Sequence, residues 1–419
     1  MRSYRFGDEM ARRSVLWLAQ RVQTGTIVLH EDAAEVTVGR GAPVIDVTIH
    51  DRRAYRALLR GSTGLGDGYI RGWWDCDDLT NLVRVLLRSL ARPLKLVDRA
   101  GAAARPLRDP VARFRHRRDR QRDRGNIRAH YDIGNEFYAL MLDPSMSYSC
   151  GLAETPGASL AEMQAAKLDR ICRLLDLSPA DHVVEIGTGW GSFAVHAATK
   201  FGCRVTTTTI SDAQYDEACR RVARSGLAER VMVRNVDYRD LEGTYDKLVS
   251  IEMIEAVDWR DYDVFFGTCA RLLRPGGLAA LQAIVVADEA FERAKHHDDF
   301  IRRYIFPGGC LPSIGSLAVA SSRASFQLLD LHDIGAHYPA TLQAWRENVH
   351  AAEIATLNLD SRFRRMWDLY LAYCEAAFLE RRVGDVQVLL TKVPSREESA
   401  ANRAGDVFDD CERVAAVGA

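Results

Sequence analysis

The stretch Asp181-His-Val-Val-Glu-Ile-Gly-Thr-Gly-Trp-Gly191 has the residue types and spacing to hold a nucleotide-like ligand. Three glycines in a row of alternate positions let a backbone approach a ligand closely and offer amides at a helix start. The dinucleotide fingerprint needs G-x-G-x-x-G, with a carboxylate about 20 residues further on for the ribose. Here Gly191 comes one residue early, and Ser192 stands where the last glycine of that fingerprint belongs. Glu185 sits just before the first glycine, Gly187. That spacing disfavours a nicotinamide oxidoreductase. A metal centre is also disfavoured. His296-His297-Asp298-Asp299 places adjacent ligands on one helix, where they point different ways, so it reads as a solvated face.

A glycine turn of this kind needs a buried strand before it and a helix after it. Val183, Val184 and Ile186 supply the strand, and Ser192–Lys200 is apolar and helix-forming. Further strand candidates follow at Arg204–Ile210, Val231–Val236, Lys247–Ile251, Leu278–Val286, Phe326–His332 and Val386–Thr391. Their alternation with helical stretches predicts an α/β, Rossmann-like fold, a mostly parallel sheet with helices on both faces. Ligand is then expected at the carboxyl ends of the strands. Asp288–Gly315 and Tyr338–Arg382 exceed what the sheet needs and are expected to build a substrate pocket. The pattern E-x-G-x-G-x-G resembles that of S-adenosylmethionine (SAM) methyltransferases, which makes SAM the expected cofactor.

At 419 residues the chain has room for two or three domains. Residues 1–100 read as a small α+β accessory domain. It has a helix over Asp8–Val22, strands at Thr26–Leu29, Glu35–Gly39 and Val44–His50, and helices at Arg52–Arg60 and Leu79–Leu90. Trp73 and Trp74 lie between those helices as core or a domain contact, with a lipid-facing patch as the alternative. Residues 101–125 form a basic linker, in which seven arginines between Arg113 and Arg124 face only Asp119 and Asp123. A solvated strip and a strip that adsorbs to anionic lipid headgroups both remain open. Nucleic acid is not an expected partner, because no aromatic interleaving or recognised fold supports it. Residues 126–395 form the main domain, and 396–419 a polar, patternless tail.

The net charge of −1 implies no polyelectrolyte partner. Nine cysteines without a Cys-x-x-Cys pair point to free thiols in a reducing compartment. No signal peptide and no apolar run of membrane-spanning length are evident. The expected location is cytoplasmic, with peripheral contact at the inner face of the membrane.

From about Asn126 to Thr391 the chain resembles the cyclopropane-fatty-acyl-phospholipid synthase family, which includes the mycolic acid cyclopropane synthases. The resemblance rests on His130-Tyr-Asp-Ile-Gly-Asn-Glu-Phe-Tyr138, Leu142-Asp-Pro-Ser-Met-Ser-Tyr-Ser-Cys150, Glu185–Gly191, Thr209-Ile-Ser-Asp-Ala-Gln214, Asp237-Tyr-Arg-Asp240, Met253-Ile-Glu-Ala-Val257, Arg274-Pro-Gly-Gly277, Tyr304-Ile-Phe-Pro-Gly-Gly-Cys-Leu-Pro312 and His332-Asp-Ile-Gly-Ala-His-Tyr338. It implies methyl transfer from SAM to a cis double bond, a carbocation in a dry apolar pocket, and a base that removes a proton. Loss of that proton from the new methyl group closes a cyclopropane ring.

The same resemblance implies a bound bicarbonate as base, in a cage of Cys150, Glu255, Tyr338 and the backbone around Ile284, with Tyr131 also in the catalytic set. Many members carry His where this chain has Gln282, which can donate a hydrogen bond to an oxyanion but cannot carry charge. Glu252 replaces a small residue of bacterial members, which opens two readings: an anionic oxygen that makes bicarbonate unnecessary, or a loop cap. Cys150-Gly-Leu-Ala lacks the aromatic usual soon after the Cys. For SAM, Gly187, Gly189 and Gly191 approach the methionine part and Glu185 its ammonium. Thr209 and Gln214 hold the ribose, Asp237 and Tyr238 reach the adenine, and Tyr148 and Ser149 close over the cofactor.

The first expectation is cyclopropane synthesis on unsaturated phospholipid acyl chains. An alternative is the same methylation without ring closure, giving a 10-methylene or 10-methyl type of branch and calling for a reductase partner. A non-catalytic SAM- or lipid-binding protein is a further alternative, and a homo-oligomer is compatible with the sequence.

Overall fold

The computed structural model describes residues 6–32, 34–89, 134–297, 299–352, 357 and 359–394. Eleven strands run through it: β1 Gly25–Glu31, β2 Ala34–Arg40, β3 Val44–Ile49, β4 Trp74–Cys76, β5 His182–Ile186, β6 Arg204–Thr209, β7 Val231–Asn235, β8 Tyr245–Ile251, β9 Leu273–Val286, β10 Phe326–Asp333 and β11 Val383–Lys392. The chain divides into two compact units that do not follow its order. One gathers Met1–Ala166, Glu289–Gly309 and Ile334–Gly384, and the other Lys167–Asp288, Cys310–Asp333 and Asp385–Ala419.

The second unit carries the seven-stranded sheet, in the order β10-β11-β9-β8-β5-β6-β7. The pairs β5–β6, β6–β7, β5–β8 and β8–β9 are parallel, and β10–β11 is antiparallel. All seven strands fall where alternation in the sequence places them. Successive strands step one way from β5 to β7 and the other way from β8 to β9, so right-handed crossovers put helices on both faces. The order reverses between β5 and β8, which makes their carboxyl ends the crevice for a ligand. Beneath it, Val183, Phe193, Ala194, Ala197, Val205 and Val249 close a core with Ile171, Cys172 and Leu175.

In the first unit, β2-β1-β3-β4 form a small mixed sheet. Its helices include Phe6–Ala19, Arg53–Leu58, Ser62–Ile70 and residues 79–89. Ser62–Ile70 is not signalled by sequence, because Gly64, Gly66 and Gly68 are poor helix formers. Packing explains them. A Cβ on Gly64 would lie 1.7 Å from the Ala57 carbonyl oxygen, and one on Gly66 2.3 Å from the Phe300 ring. Trp74 is buried and donates its Nε1–H to Leu65 O at 3.3 Å, whereas Trp73 lies under the guanidinium groups of Arg53 and Arg71. The long helix Ser361–Leu379 ties to this region. Tyr69 bonds Asp368 at 2.8 Å, Thr80 bonds Glu375 at 2.8 Å, and Arg365 donates to the carbonyls of Tyr69 and Trp74 at 2.5 and 2.8 Å. The segments expected to build a substrate pocket are thus helices knitted to the N-terminal residues. The basic linker and the C-terminal tail lie outside the described residues.

Candidate functional site

β5 delivers Glu185 to the crevice and ends in the glycine turn. Gly187, Gly189 and Gly191 adopt φ of 101°, 52° and 87°, values that L side chains rarely take. The amides of Gly187 and Thr188 bond to Thr208 O, at 3.1 and 3.0 Å, and Gly191 N–H bonds to Thr188 O at 2.9 Å. Gly191 then caps the helix Ser192–Lys200, as the sequence predicts. A Cβ on Gly187 would meet Met253 at 3.0 Å, while one on Gly189 would point into open space. Gly187 is thus fixed by packing, and Gly189 leaves room for a ligand against bare backbone.

Glu185 is buried and bonds to Thr207, whose hydroxyl also meets that of Thr188 at 2.7 Å. Its Oε2 has no hydrogen-bond partner among the described residues. Burial pushes its carboxyl up to about 8, against a smaller opposing pull from Lys167. A buried carboxylate with an unmatched oxygen suits a cationic donor such as an ammonium group. With the open face of Gly189, this is the local chemistry that SAM requires, and the residues fit it.

The other expected cofactor residues occupy successive strand ends. Thr209 ends β6 and donates to Gln214 Oε1 at 2.8 Å, and both are buried. Asp237 follows β7. Its carboxylate is gripped by Arg239 at 2.8 and 2.6 Å, and the neighbouring Tyr238 ring packs on Phe265 at 5.6 Å. Sequence reading did not anticipate that Arg239 would take this carboxylate, nor the supporting roles of Thr188 and Thr207.

Glu252 follows β8 in left-handed backbone, φ 46°, with its N–H bonded to Gln282 O at 2.9 Å. Gln282 is fully buried in β9. Its Nε2 donates to Glu252 Oε1 at 2.8 Å and to Asp385 Oδ2 at 3.0 Å, and its Oε1 accepts from Gln387 Nε2 at 3.0 Å. The oxyanion expected opposite Gln282 is here a side-chain carboxylate. Asp385, wholly buried at the start of β11, belongs to this network and was missed by sequence reading. The signal was available: an Asp and a Gln in the otherwise apolar run Asp385-Val-Gln-Val-Leu-Leu. Burial, then the nearby Glu252 charge, raises the Asp385 carboxyl well above the ordinary range.

Glu255 lies on the same loop. Its Oε1 accepts the Ile284 N–H at 2.5 Å, and its buried Oε2 has no hydrogen-bond partner among the described residues. Burial first, and Glu252 second, push its carboxyl up to about 8.

Cys150, Tyr338, Tyr148 and Ser149 belong to the first unit. The buried Cys150 thiol donates to Gly151 O at 3.3 Å, and Gly151 N–H donates to Thr341 Oγ1 at 3.1 Å. Gly151 has a packing reason, since a Cβ there would sit 2.8 Å from Met163. Ser149 O accepts Gln164 Nε2 at 2.7 Å, and the Tyr148 hydroxyl meets that of Tyr370 at 2.9 Å. Tyr338 stacks on Phe378, with ring centroids 4.4 Å apart. Tyr148, Tyr138, Phe306, Trp345, Trp367 and Tyr370 continue these ring contacts as an aromatic cluster. Tyr131 lies outside the described residues.

Comparison with known proteins agrees with this chemistry. The profile of the mycolic acid cyclopropane synthetase family matches residues 118–388. The chain is 35% identical over 381 residues to the tuberculostearic acid methyltransferase UfaA1 of Mycobacterium tuberculosis, covering 88% of this chain and 87% of that protein. It is 35% identical over 365 residues to the cyclopropane-fatty-acyl-phospholipid synthase of Escherichia coli, covering 86% and 91%. Among solved structures, mycolic acid cyclopropane synthase CmaA1 complexed with SAH and CTAB superposes with a TM-score of 0.60 at 29% identity, over 64% of this chain and 98% of that one.

Proposed function

Because the chain belongs to the mycolic acid cyclopropane synthetase family, we propose that it inserts a one-carbon unit at the cis double bond of unsaturated phospholipid acyl chains, closing a cyclopropane ring. It is a SAM-dependent methyltransferase of unsaturated lipid acyl chains. The observation that supports this reading is the Met253 side chain in the space that a Cβ on Gly187 would need. It sets the Glu252–Glu255 loop against the glycine turn, so a proton acceptor stands beside the methyl donor's turn.

Bound SAM supplies an electrophilic methyl group that a weakly nucleophilic alkene can capture, leaving a cation on the acyl chain. The residues of this chain do the rest. The backbone of Gly187, Gly189 and Gly191 receives the methionine part, and Glu185 meets its ammonium. Thr209 and Gln214 face the ribose, Asp237 and Tyr238 the adenine. Tyr148 and Ser149 are assigned to the cofactor and the aromatic cluster to stabilising the cation. Cys150, Glu255, Tyr338 and Ile284 are assigned to the proton-removal step.

A second reading has two specific supports. Gln282, held between carboxylates, stands where many members carry His, and the match to a tuberculostearic acid methyltransferase is as high as that to the cyclopropane synthase. Proton loss from a neighbouring chain carbon would then leave a methylene branch for a separate reductase. In both readings the enzyme works in the cytoplasm at the membrane surface. No helix among the described residues is long and apolar enough to cross a bilayer.

The test is incubation with cis-unsaturated phospholipid vesicles and methyl-labelled SAM, followed by NMR of the acyl chains. Ring methylene signals are expected. An exocyclic alkene selects the second reading, and unlabelled lipid refutes both.

A further inference from the structure

The resemblance gives proton removal to a bound bicarbonate, but the groups that would hold that anion are engaged. Ile284 N–H is committed to Glu255 Oε1. Gln282 has two amide protons and spends one on Glu252 and one on Asp385, while Gln387 fixes which way the amide faces. Nothing remains for it to donate. Bicarbonate would also enter beside Glu252, Glu255 and Asp385, where Glu252 already opposes ionisation of the other two. The residues do not fit bicarbonate.

They present a carboxylate of their own instead. Glu252 is partly exposed and Asp385 fully buried, and the two carboxyl groups share Gln282 Nε2 as donor, at 2.8 and 3.0 Å. Two carboxyl groups on one amide donor crowd like charge, and burial, then the nearby Glu252, favours the protonated form of Asp385. The segment is also held in place, because Glu252 N–H bonds to Gln282 O at 2.9 Å and the Met253 side chain fills the space a Cβ on Gly187 would need.

We infer that Glu252 is the proton acceptor of this enzyme and that Asp385 is the residue that positions it, the pair standing in for bicarbonate. This rests on the reaction proposed above. When the C–H bond beside the cation breaks, its electron pair forms the new ring bond or double bond and the proton passes to Glu252. The pair, which began with one proton and one negative charge, ends neutral. The extra proton leaves to solvent from Glu252 before the next turnover.

The experiment uses the full chain, cis-unsaturated phospholipid vesicles and labelled SAM, in carbonate-free buffer and again with bicarbonate added. Wild type is expected to work equally well in both. Glu252→Gln is expected to lose about 10²- to 10⁴-fold in kcat, the range for a general base, with no rescue by bicarbonate. Asp385→Asn is expected to lower kcat while leaving KM and calorimetric Kd for SAM unchanged. A merely structural role would move all three together. If Asp385→Asn does not fold, Glu252→Gln decides alone. Wild type that stops without bicarbonate and recovers with it overturns the inference and leaves the proposed reaction standing, as does a near-normal rate in Glu252→Gln. Unlabelled lipid in every arm overturns both.

Discussion

The glycine turn after β5 and the carboxyl cluster spanning β8, β9 and β11 share one sheet edge but are built by opposite means. The turn works by what is missing: three residues without side chains take positive φ and leave open space at Gly189. The cluster works by what is crowded in, with the buried Gln282, Asp385 and Gln387 bonded to one another and to the partly exposed Glu252. A site made of backbone tolerates changes beyond its few residues. A site made of buried polar side chains depends on every member, because each removal leaves another group unmatched. The two regions should therefore fail differently, the turn through cofactor affinity and the cluster through stability and turnover.

The sharpest way to break that contrast is Gln282→Leu. It strips the shared donor from two carboxyl groups and should cost about 3 kcal/mol or more of folding stability, read by denaturant unfolding. A mutant as stable as wild type would mean the cluster is not cooperative. Next is Glu185→Ala at the cofactor end. It should weaken SAM about 10- to 100-fold by calorimetry, the value of about 1.5–3 kcal/mol for a bond to a charged group. Unchanged affinity would remove Glu185 from the cofactor site.

A third outcome concerns protons. Glu185 titrates at about 8 in the folded chain against an ordinary 4.5, so it is largely protonated near neutrality. Its contribution to stability is complete below about 4.5 and is lost as pH rises through about 8. An ammonium ligand favours the carboxylate, so SAM binding near pH 7 should release a proton, measured by calorimetry in buffers of different ionisation enthalpy. Glu185→Gln should abolish the release. Smallest is Thr207→Val, which removes the hydroxyl bonded to Thr188 and Glu185 and should cost about 1 kcal/mol.

The mostly parallel sheet, all seven of its strands, the cofactor turn and the family were legible in the amino-acid sequence alone. Each is written in contiguous residues: apolar runs that must be buried, and glycines whose backbone freedom the turn requires. The sequence also singled out Glu252 and Gln282 as departures. Only the tertiary structure decided what those departures mean, because Asp385 and Gln387 reach Gln282 across more than 100 positions of chain, through the pairing of β9 with β11. The same holds for the helix Ser62–Ile70. Its glycines oppose helix formation locally and are selected by the close approach of Ala57 and Phe300. Local patterns fix which elements form, whereas the partners of a buried polar group or a crowded glycine are set by the packing of elements far apart in the chain.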